Sequence, residues 1–249
     1  MKTEMLELYK EYLRINKLGW IKSKRQGYTG VGYTFEKLLY KEEDNFPIPD
    51  FKNIEIKTMR RNSRGRLHLL NVTPDGDFLF PIKRILDKLG YFKRNESQWK
   101  VFKVEVNSCE WKNIGHSKRV KLYVNYKEEK LELIAESNNG DFFNIDVSWS
   151  FSLLKERLEL KLKYLAIVKV DSKIIDGWEF FKYSDISFYE LKDFEVFLYL
   201  IEHGIITVTF NIDVFKSGKR IGQTHDHGTN FSIDVSDLYK LYKRLIIKK

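Results

Sequence analysis

This chain is poor in the residues that would define several protein classes outright. Among its 249 residues there is one cysteine, Cys109, so an intrachain disulfide and a Cys-rich zinc site are both excluded. A reducing cytoplasm fits that usage. Only four prolines are present, with no Ser-rich run, low-complexity tract or internal repeat, so any lobes should be joined compactly. No stretch approaches the roughly twenty apolar residues of a membrane span, and no apolar run of signal-peptide type opens the chain. The expectation is a cytoplasmic protein without a membrane partner.

Acids are in deficit too. Asp plus Glu total 35 against 44 Lys plus Arg, a formal charge of +9. That excess favours a polyanionic partner, DNA or RNA before an anionic membrane, although a merely basic soluble protein has the same balance. What is abundant is apolar: 43% hydrophobic and 15% aromatic residues exclude a wholly disordered chain.

Chemistry concentrates between Pro49 and Thr58. From Ile54 to Lys57 the order is apolar, acid, apolar, base. In an extended strand Ile54 and Ile56 point one way and Glu55 and Lys57 the other. Asp50 sits just upstream. Paired carboxylates suit Mg²⁺, which takes hard oxygen ligands and keeps waters that a phosphate or nucleophile can replace. The lysine can orient an attacking water and offset charge growing on phosphorus. The pattern reads as the metal centre of a phosphodiesterase; a solvated strand face has the same short signature.

Around it, residues from Thr3 to about Asn16 have helical spacing, and Trp20 to Gly32 reads as a Gly-rich loop carrying Lys22, Lys24 and Arg25. Thr34 is placed to N-cap a helix from Phe35 to about Lys41, which would aim Glu36 at the same centre as a third acid, unless Glu36 is an ordinary surface glutamate. Arg60, Arg61, Arg64 and Arg66 surround Gly65 on an expected loop and look like a phosphate-gripping edge. Strands at about 99–106, 119–126, 130–136 and 142–149 suggest a half-exposed antiparallel meander. A helix from Ser152 to Tyr164 buries its leucines and leaves Lys155, Arg157, Lys161 and Lys163 outside. Trp178 to Tyr189 holds a short strand, and Leu238, Leu241, Tyr242 and Leu245 mark a closing helix.

His225 and His227 share a face if Lys216–Gly228 is a hairpin. A zinc reading lacks a third ligand nearby except Asp226, which faces the other way. Base recognition is the alternative, because Lys219, Arg220, Thr224, His225, Asp226 and His227 combine donors and acceptors of the kind that read base edges. A loop held by its own hydrogen bonds is the third reading.

Three stretches together resemble the MvaI/BcnI-type restriction endonucleases, relatives of the MutH mismatch-repair nicking enzyme. The first joins Gly27–Glu36 to Pro49-Asp50 and Ile54–Thr58, the second is Leu158–Val170, and the third runs from Ser217 through Thr224–Thr229 to Phe231. The resemblance implies an α/β, restriction-endonuclease-like fold of the MutH type, with a mixed sheet flanked by helices and two lobes around a DNA cleft. A catalytic lobe would span 1–170, including the meander at about 99–149, and a DNA-recognition lobe 171–249. Glu36, Asp50, Glu55 and Lys57 match the family's active-site positions. The implied activity is that of a type II restriction enzyme: Mg²⁺-dependent hydrolysis of double-stranded DNA, Mn²⁺ substituting, at a short pseudo-palindromic site of CC-N-GG type, leaving 5′-phosphate ends. Asp50, Glu55, Glu36 and the Ile56 carbonyl would hold the metal. A monomer with a cognate DNA methyltransferase as functional partner is implied as well. The rival readings are a MutH-like nickase and a DNA-binding module without catalysis.

Overall fold

The computed structural model describes residues 2–39, 48–61, 65–77, 80–93 and 96–247. In chain order the elements begin with α1 (Lys2–Asn16), β1 (Ile21–Lys22), α2 (Gly30–Leu38) and β2 (Glu55–Arg60). Next come β3 (Arg66–Asn71), α3 (Phe80–Leu89), β4 (Tyr91–Lys93), β5 (Glu96–Val106), β6 (Lys112–Ile114), β7 (Lys118–Asn125), β8 (Lys130–Ser137), β9 (Phe142–Phe143) and β10 (Ser148–Ser150). The remainder is α4 (Phe151–Leu162), β11 (Tyr164–Ile175), β12 (Trp178–Leu191), α5 (Phe194–Glu202), β13 (Ile206–Val214), β14 (Thr224–Asp226), β15 (Asn230–Asp234), α6 (Leu238–Leu241) and β16 (Tyr242–Leu245).

Two compact units result. One comprises Met1–Gly65, Arg157–Lys192 and Tyr242–Lys249, the other Arg66–Glu156 and Asp193–Leu241. Compactness therefore does not divide the chain at residue 170. The reason is local: β11 passes through Val170 and stays paired with β12 from Tyr164↔Glu190 to Ile175↔Trp178.

The first unit is built on the sheet β1-β12-β11-β2, with β16 added to β12. β11 and β2 run parallel, Leu165 opposite Glu55 and Ile167 opposite Lys57. Met5, Leu8, Tyr12 and Ile15 of α1 recur every three or four residues, so they form one buried stripe against Ala166, Val168, Val170, Phe181 and Tyr183 of the sheet. Val31 and Phe35 of α2 complete this core.

The second unit holds two sheets, β10-β8-β7-β6 with β9 on β8, and β3-β15-β13-β5-β4 with β14 on β13. Its centre is aromatic. Trp149 lies 6.1 Å from Phe210 and 5.6 Å from Phe231 between ring centroids, and its indole N–H donates to the Val72 carbonyl at 2.9 Å.

Several local expectations change. α2 starts at Gly30 rather than after Thr34, whose hydroxyl accepts the Lys24 N–H at 2.9 Å instead of capping a helix. A Cβ at Gly30 would stand 2.3 Å from the Arg25 carbonyl oxygen, so the tight entry to α2 requires glycine there. Lys41, the expected end of that helix, lies outside the described residues. β5 leaves the expected meander and pairs with β13 and β4, while β7 and β8 keep each other. The expected closing helix stops at Leu241, and Tyr242–Leu245 become a strand on β12, Tyr242 opposite Leu191. Spacing of a few apolar residues cannot distinguish these outcomes; the free edge of β12 does. β12 itself is fourteen residues, not a short strand.

Candidate active site

The approach to β2 is a tight reversal. Phe51 and Ile54 exchange backbone hydrogen bonds at 2.9 and 2.8 Å around Lys52, which adopts a left-handed φ of 54°. That turn carries Asp50 back beside the strand, where its Oδ2 accepts the Ile56 N–H at 2.9 Å. The spacing of Asp50 and Glu55 is thereby converted into proximity.

Ile54 and Ile56 enter the core, and Glu55 is buried as well, at 2% exposure. Glu55 on the strand's second face is thus covered while Lys57 beside it stays part-exposed, against the rival reading of a solvated face. Lys57 donates to Glu55 Oε1 at 2.7 Å, and Lys161 near the end of α4 stands 3.6 Å from the same oxygen. Glu55 Oε2 is buried without a hydrogen-bond partner among the described residues. Burial pushes the Glu55 carboxyl above its ordinary range; Lys57 pulls it down, the Asp50 charge raises it further, and Lys161 lowers it. Tyr242, whose hydroxyl donates to the Leu162 carbonyl, is held protonated by burial and then by the Glu55 charge.

Asp50, Glu55 and Lys57 are therefore brought together, and Lys161 joins them. Sequence reasoning had assigned Lys161 to the solvent side of its helix; its place in the Leu-Lys-Leu-Lys-Tyr run was the available signal. Glu36 is placed by Gly32 and Thr58. A Cβ on Gly32 would meet Glu36 Oε1 at 3.6 Å and Thr58 Oγ1 at 3.5 Å, and Thr58 alternates with Lys57 along β2.

The cationic edges are more occupied than a phosphate-gripping loop would be. Arg60 sits in β2 and forms a two-pronged pair with Glu179 at 2.9 Å for each bond. Arg61 donates to Asp171 at 2.9 Å and to the Ser184 hydroxyl at 2.8 Å. Arg66 opens β3 in the other unit and donates to the carbonyls of Ser232 and Ile205. Arg64 lies outside the described residues. Lys22 in β1 packs over Trp178 at 3.7 Å and Arg25 over Tyr33 at 3.8 Å, while Lys24 is exposed. Arg25, Arg60 and Glu179 help line an open cavity of about 470 Å³ with Tyr28 and Trp178.

In the second unit the Lys216–Gly228 segment is a hairpin, as its composition suggests. Lys219 and Arg220 lie on an exposed 3₁₀ turn, with Arg220 over Phe215 at 3.9 Å. Thr224, His225 and Asp226 form β14 against β13. Asp226 points away from the histidines and accepts the Gly228 N–H, its carboxyl raised by burial. A third group of ligand type, absent from the sequence reading, is Asp213 on the facing strand, directly opposite His225.

The architecture is that of a restriction endonuclease. The structure of the restriction endonuclease MvaI in complex with its cognate DNA substrate aligns over 100% of both chains, at 29% identity and a TM-score of 0.87. MvaI in the absence of DNA aligns over 100% of this chain and 99% of that one, at 29% identity and a TM-score of 0.64. The model of the MvaI/BcnI restriction endonuclease family matches residues 10–242, and the chain belongs to that family. No curated protein matches it. The family and fold expected from the three sequence stretches are the ones found. Among the described residues no helix is long and apolar enough to cross a membrane.

Proposed function

We propose that this chain is a Mg²⁺-dependent type II restriction enzyme that hydrolyses both strands of DNA at a short pseudo-palindromic site, with Mn²⁺ able to substitute. The observation that carries this reading is Glu55 Oε2: a buried carboxylate oxygen without a hydrogen-bond partner among the described residues, beside Asp50, in a family of endonucleases. Such an oxygen is costly unless something positive comes to it. The donor set of Asp50, Glu55 and the Ile56 carbonyl is all oxygen, which fits Mg²⁺ or Mn²⁺ and not a soft cation. When bound there, the ion would supply Lewis-acid charge to the scissile phosphate and lower the pKa of a bound water.

Lys57, already held at Glu55 Oε1, orients the water for in-line attack and offsets charge growing on the phosphate. Lys161 adds a second positive charge near the same carboxylate. Glu36, near Thr58, binds the ion directly, through water, or helps to hold a second ion. The products are a 5′-phosphate and a 3′-hydroxyl. Lys22, Lys24 and Arg25 contact backbone phosphate, joined by Arg60, Arg61, Arg64 and Arg66 where their internal pairs yield. The Lys219–His227 hairpin, with Thr224, Asp226 and the two histidines, reads bases at a site of CC-N-GG type. The chain works as a monomer, and a cognate methyltransferase protects the host site.

A digest of unmethylated plasmid, followed by sequencing of the ends, tests this. Linear product with Mg²⁺ or Mn²⁺ is expected, with binding but no turnover in Ca²⁺, whose looser coordination misplaces the water. Nicked circles alone would favour the MutH-like alternative. Full cutting in excess chelator would overturn the metal mechanism, and binding without cutting under every divalent ion would leave a non-catalytic DNA-binding module.

A further inference from the structure

A second cluster, chemically unlike the β2 acids, lies on β13 and β14. Asp213 and His225 are directly opposed across the antiparallel pair, so their side chains share a face. His227 follows two residues later and keeps beside β13 through its N–H to the Asn211 carbonyl at 2.9 Å, so it shares that face too. The two imidazole centroids are 3.9 Å apart. His227 Nε2 is 2.9 Å and His225 Nδ1 3.7 Å from Asp213 Oδ1, and all three donor atoms lie within 4.8 Å of one another.

We propose that Asp213 Oδ1, His225 Nδ1 and His227 Nε2 form a binding site for a borderline divalent cation of the Zn²⁺ class, separate from the all-oxygen site at β2. Two imidazole nitrogens and one carboxylate oxygen are the donors that Zn²⁺ selects and Mg²⁺ does not. A three-residue set leaves one tetrahedral position for water.

The surrounding groups hold the ligands in place. Phe215 stacks on His225, centroids 4.1 Å apart and planes 17° from parallel, and so fixes that ring. Lys103 binds Asp213 Oδ2 at 2.8 Å, which orients the carboxylate and leaves Oδ1 as the ligand atom. Asn211, two residues before Asp213 and so on the same side of β13, has a buried side-chain oxygen with no hydrogen-bond partner among the described residues. Binding exchanges the Asp213–His227 hydrogen bond for coordination. It also leaves His225 Nε2 and His227 Nδ1 as N–H donors on the open side of the rings. The ion would cross-link β13 to the far end of the recognition hairpin, and its binding does not depend on whether that hairpin reads bases.

The test uses the full chain, stripped with chelator and carrying Glu55→Gln to weaken the oxygen site. Titration with Co²⁺ is read by visible absorption and displaced with Zn²⁺. One equivalent with an intense tetrahedral-type band is expected, together with a metal-dependent rise in Tm. His225→Ala should abolish the band and weaken Zn²⁺ by more than the roughly 10–100-fold that losing an outer partner costs, without changing the metal-free Tm. Asp213→Asn should also abolish the band and weaken Zn²⁺, but with an earlier metal-free melt, so His225→Ala, at a less buried position, decides. No band, or a band and stoichiometry unchanged in His225→Ala, overturns the site. Metal bound by the wild type but lost with Glu55→Gln alone overturns it as well, placing the ion at β2.

Discussion

Glu55 on β2 lies beside two lysines and Asp213 on β13 beside one lysine and two histidines, yet their carboxyls move in opposite directions. Glu55 is the more buried; desolvation outweighs Lys57 and, at 3.6 Å, Lys161, so its pKa rises. Asp213 is also penalised by burial, but hydrogen bonds from Lys103 and His227 outweigh it and hold the carboxyl below its usual range. Number of neighbouring charges is therefore a poor guide; satisfaction of both oxygens is the better one. Asp213 has a donor on each oxygen, whereas Glu55 Oε2 has none among the described residues.

The largest test of that contrast is catalytic. Glu55→Gln and Lys57→Ala should each lower cleavage by roughly 10²–10³-fold or more while leaving a folded chain that binds its site. The stability signs separate the two acids further. A raised folded-state pKa means that the native state binds the Glu55 proton more tightly than the unfolded chain does. This residue's contribution therefore falls as pH climbs above the ordinary carboxylate range. Glu55→Gln should accordingly melt no earlier than wild type at neutral pH in chelator, and any advantage should vanish in acid. Near-normal cutting by both variants would remove the active-site assignment.

Next in size is base discrimination. Replacing Arg220, His225 or His227 by Ala should cost about 1–3 kcal/mol at particular base pairs, measured as binding in Ca²⁺ to target and singly altered duplexes. Equal weakening on target and random duplexes would move the reading head elsewhere, into the segment between about residues 71 and 140 that carries no diagnostic motif.

Asp213→Asn tests the other half of the contrast, in chelator so that metal plays no part. A depressed folded-state pKa stabilises the native state above the ordinary carboxylate range, and that contribution is lost as pH falls through the folded value. The substitution should cost about 2 kcal/mol at neutral pH, the worth of charged hydrogen bonds, and the wild-type advantage should close in acid. A pH-independent loss would mean that shape rather than charge holds the hairpin.

How far these sites could be read in advance depended on sequence distance. The Asp50, Glu55 and Lys57 pattern was visible because a local turn at Lys52 and one strand assemble it. The burial of Glu55 was not. Alternation gives the two faces of β2 but not what covers the second, and here the cover comes from Lys161 and Tyr242, far along the chain. Asp213 was missed for a similar reason: its pairing with His225 is set by the hairpin closed between Phe215 and Gln223, whose register depends on turns at Gly218 and Gly222. The arginines after β2 were visible as a cluster, but Glu179, Asp171 and Ser232, which hold three of them, lie on other strands.

That last point gives the smallest expected effect. Arg60 is partly buried and clamped at both nitrogens by Glu179, whereas the Arg61 side chain is 54% exposed beside Asp171. An exposed pair contributes less than about 1 kcal/mol, so Arg61 can exchange Asp171 for a DNA phosphate at little cost. Arg60 would have to give up a two-pronged, shielded pair. Arg61→Ala should therefore leave Tm nearly unchanged but reduce the slope of log K against log salt by about one, uniformly across sequences. Arg60→Ala should do the reverse, lowering Tm and leaving the salt slope alone. If the two variants exchange these signatures, internal pairing does not decide which arginines are available to phosphate, and the occupied edge of β2 must be read as a DNA contact after all.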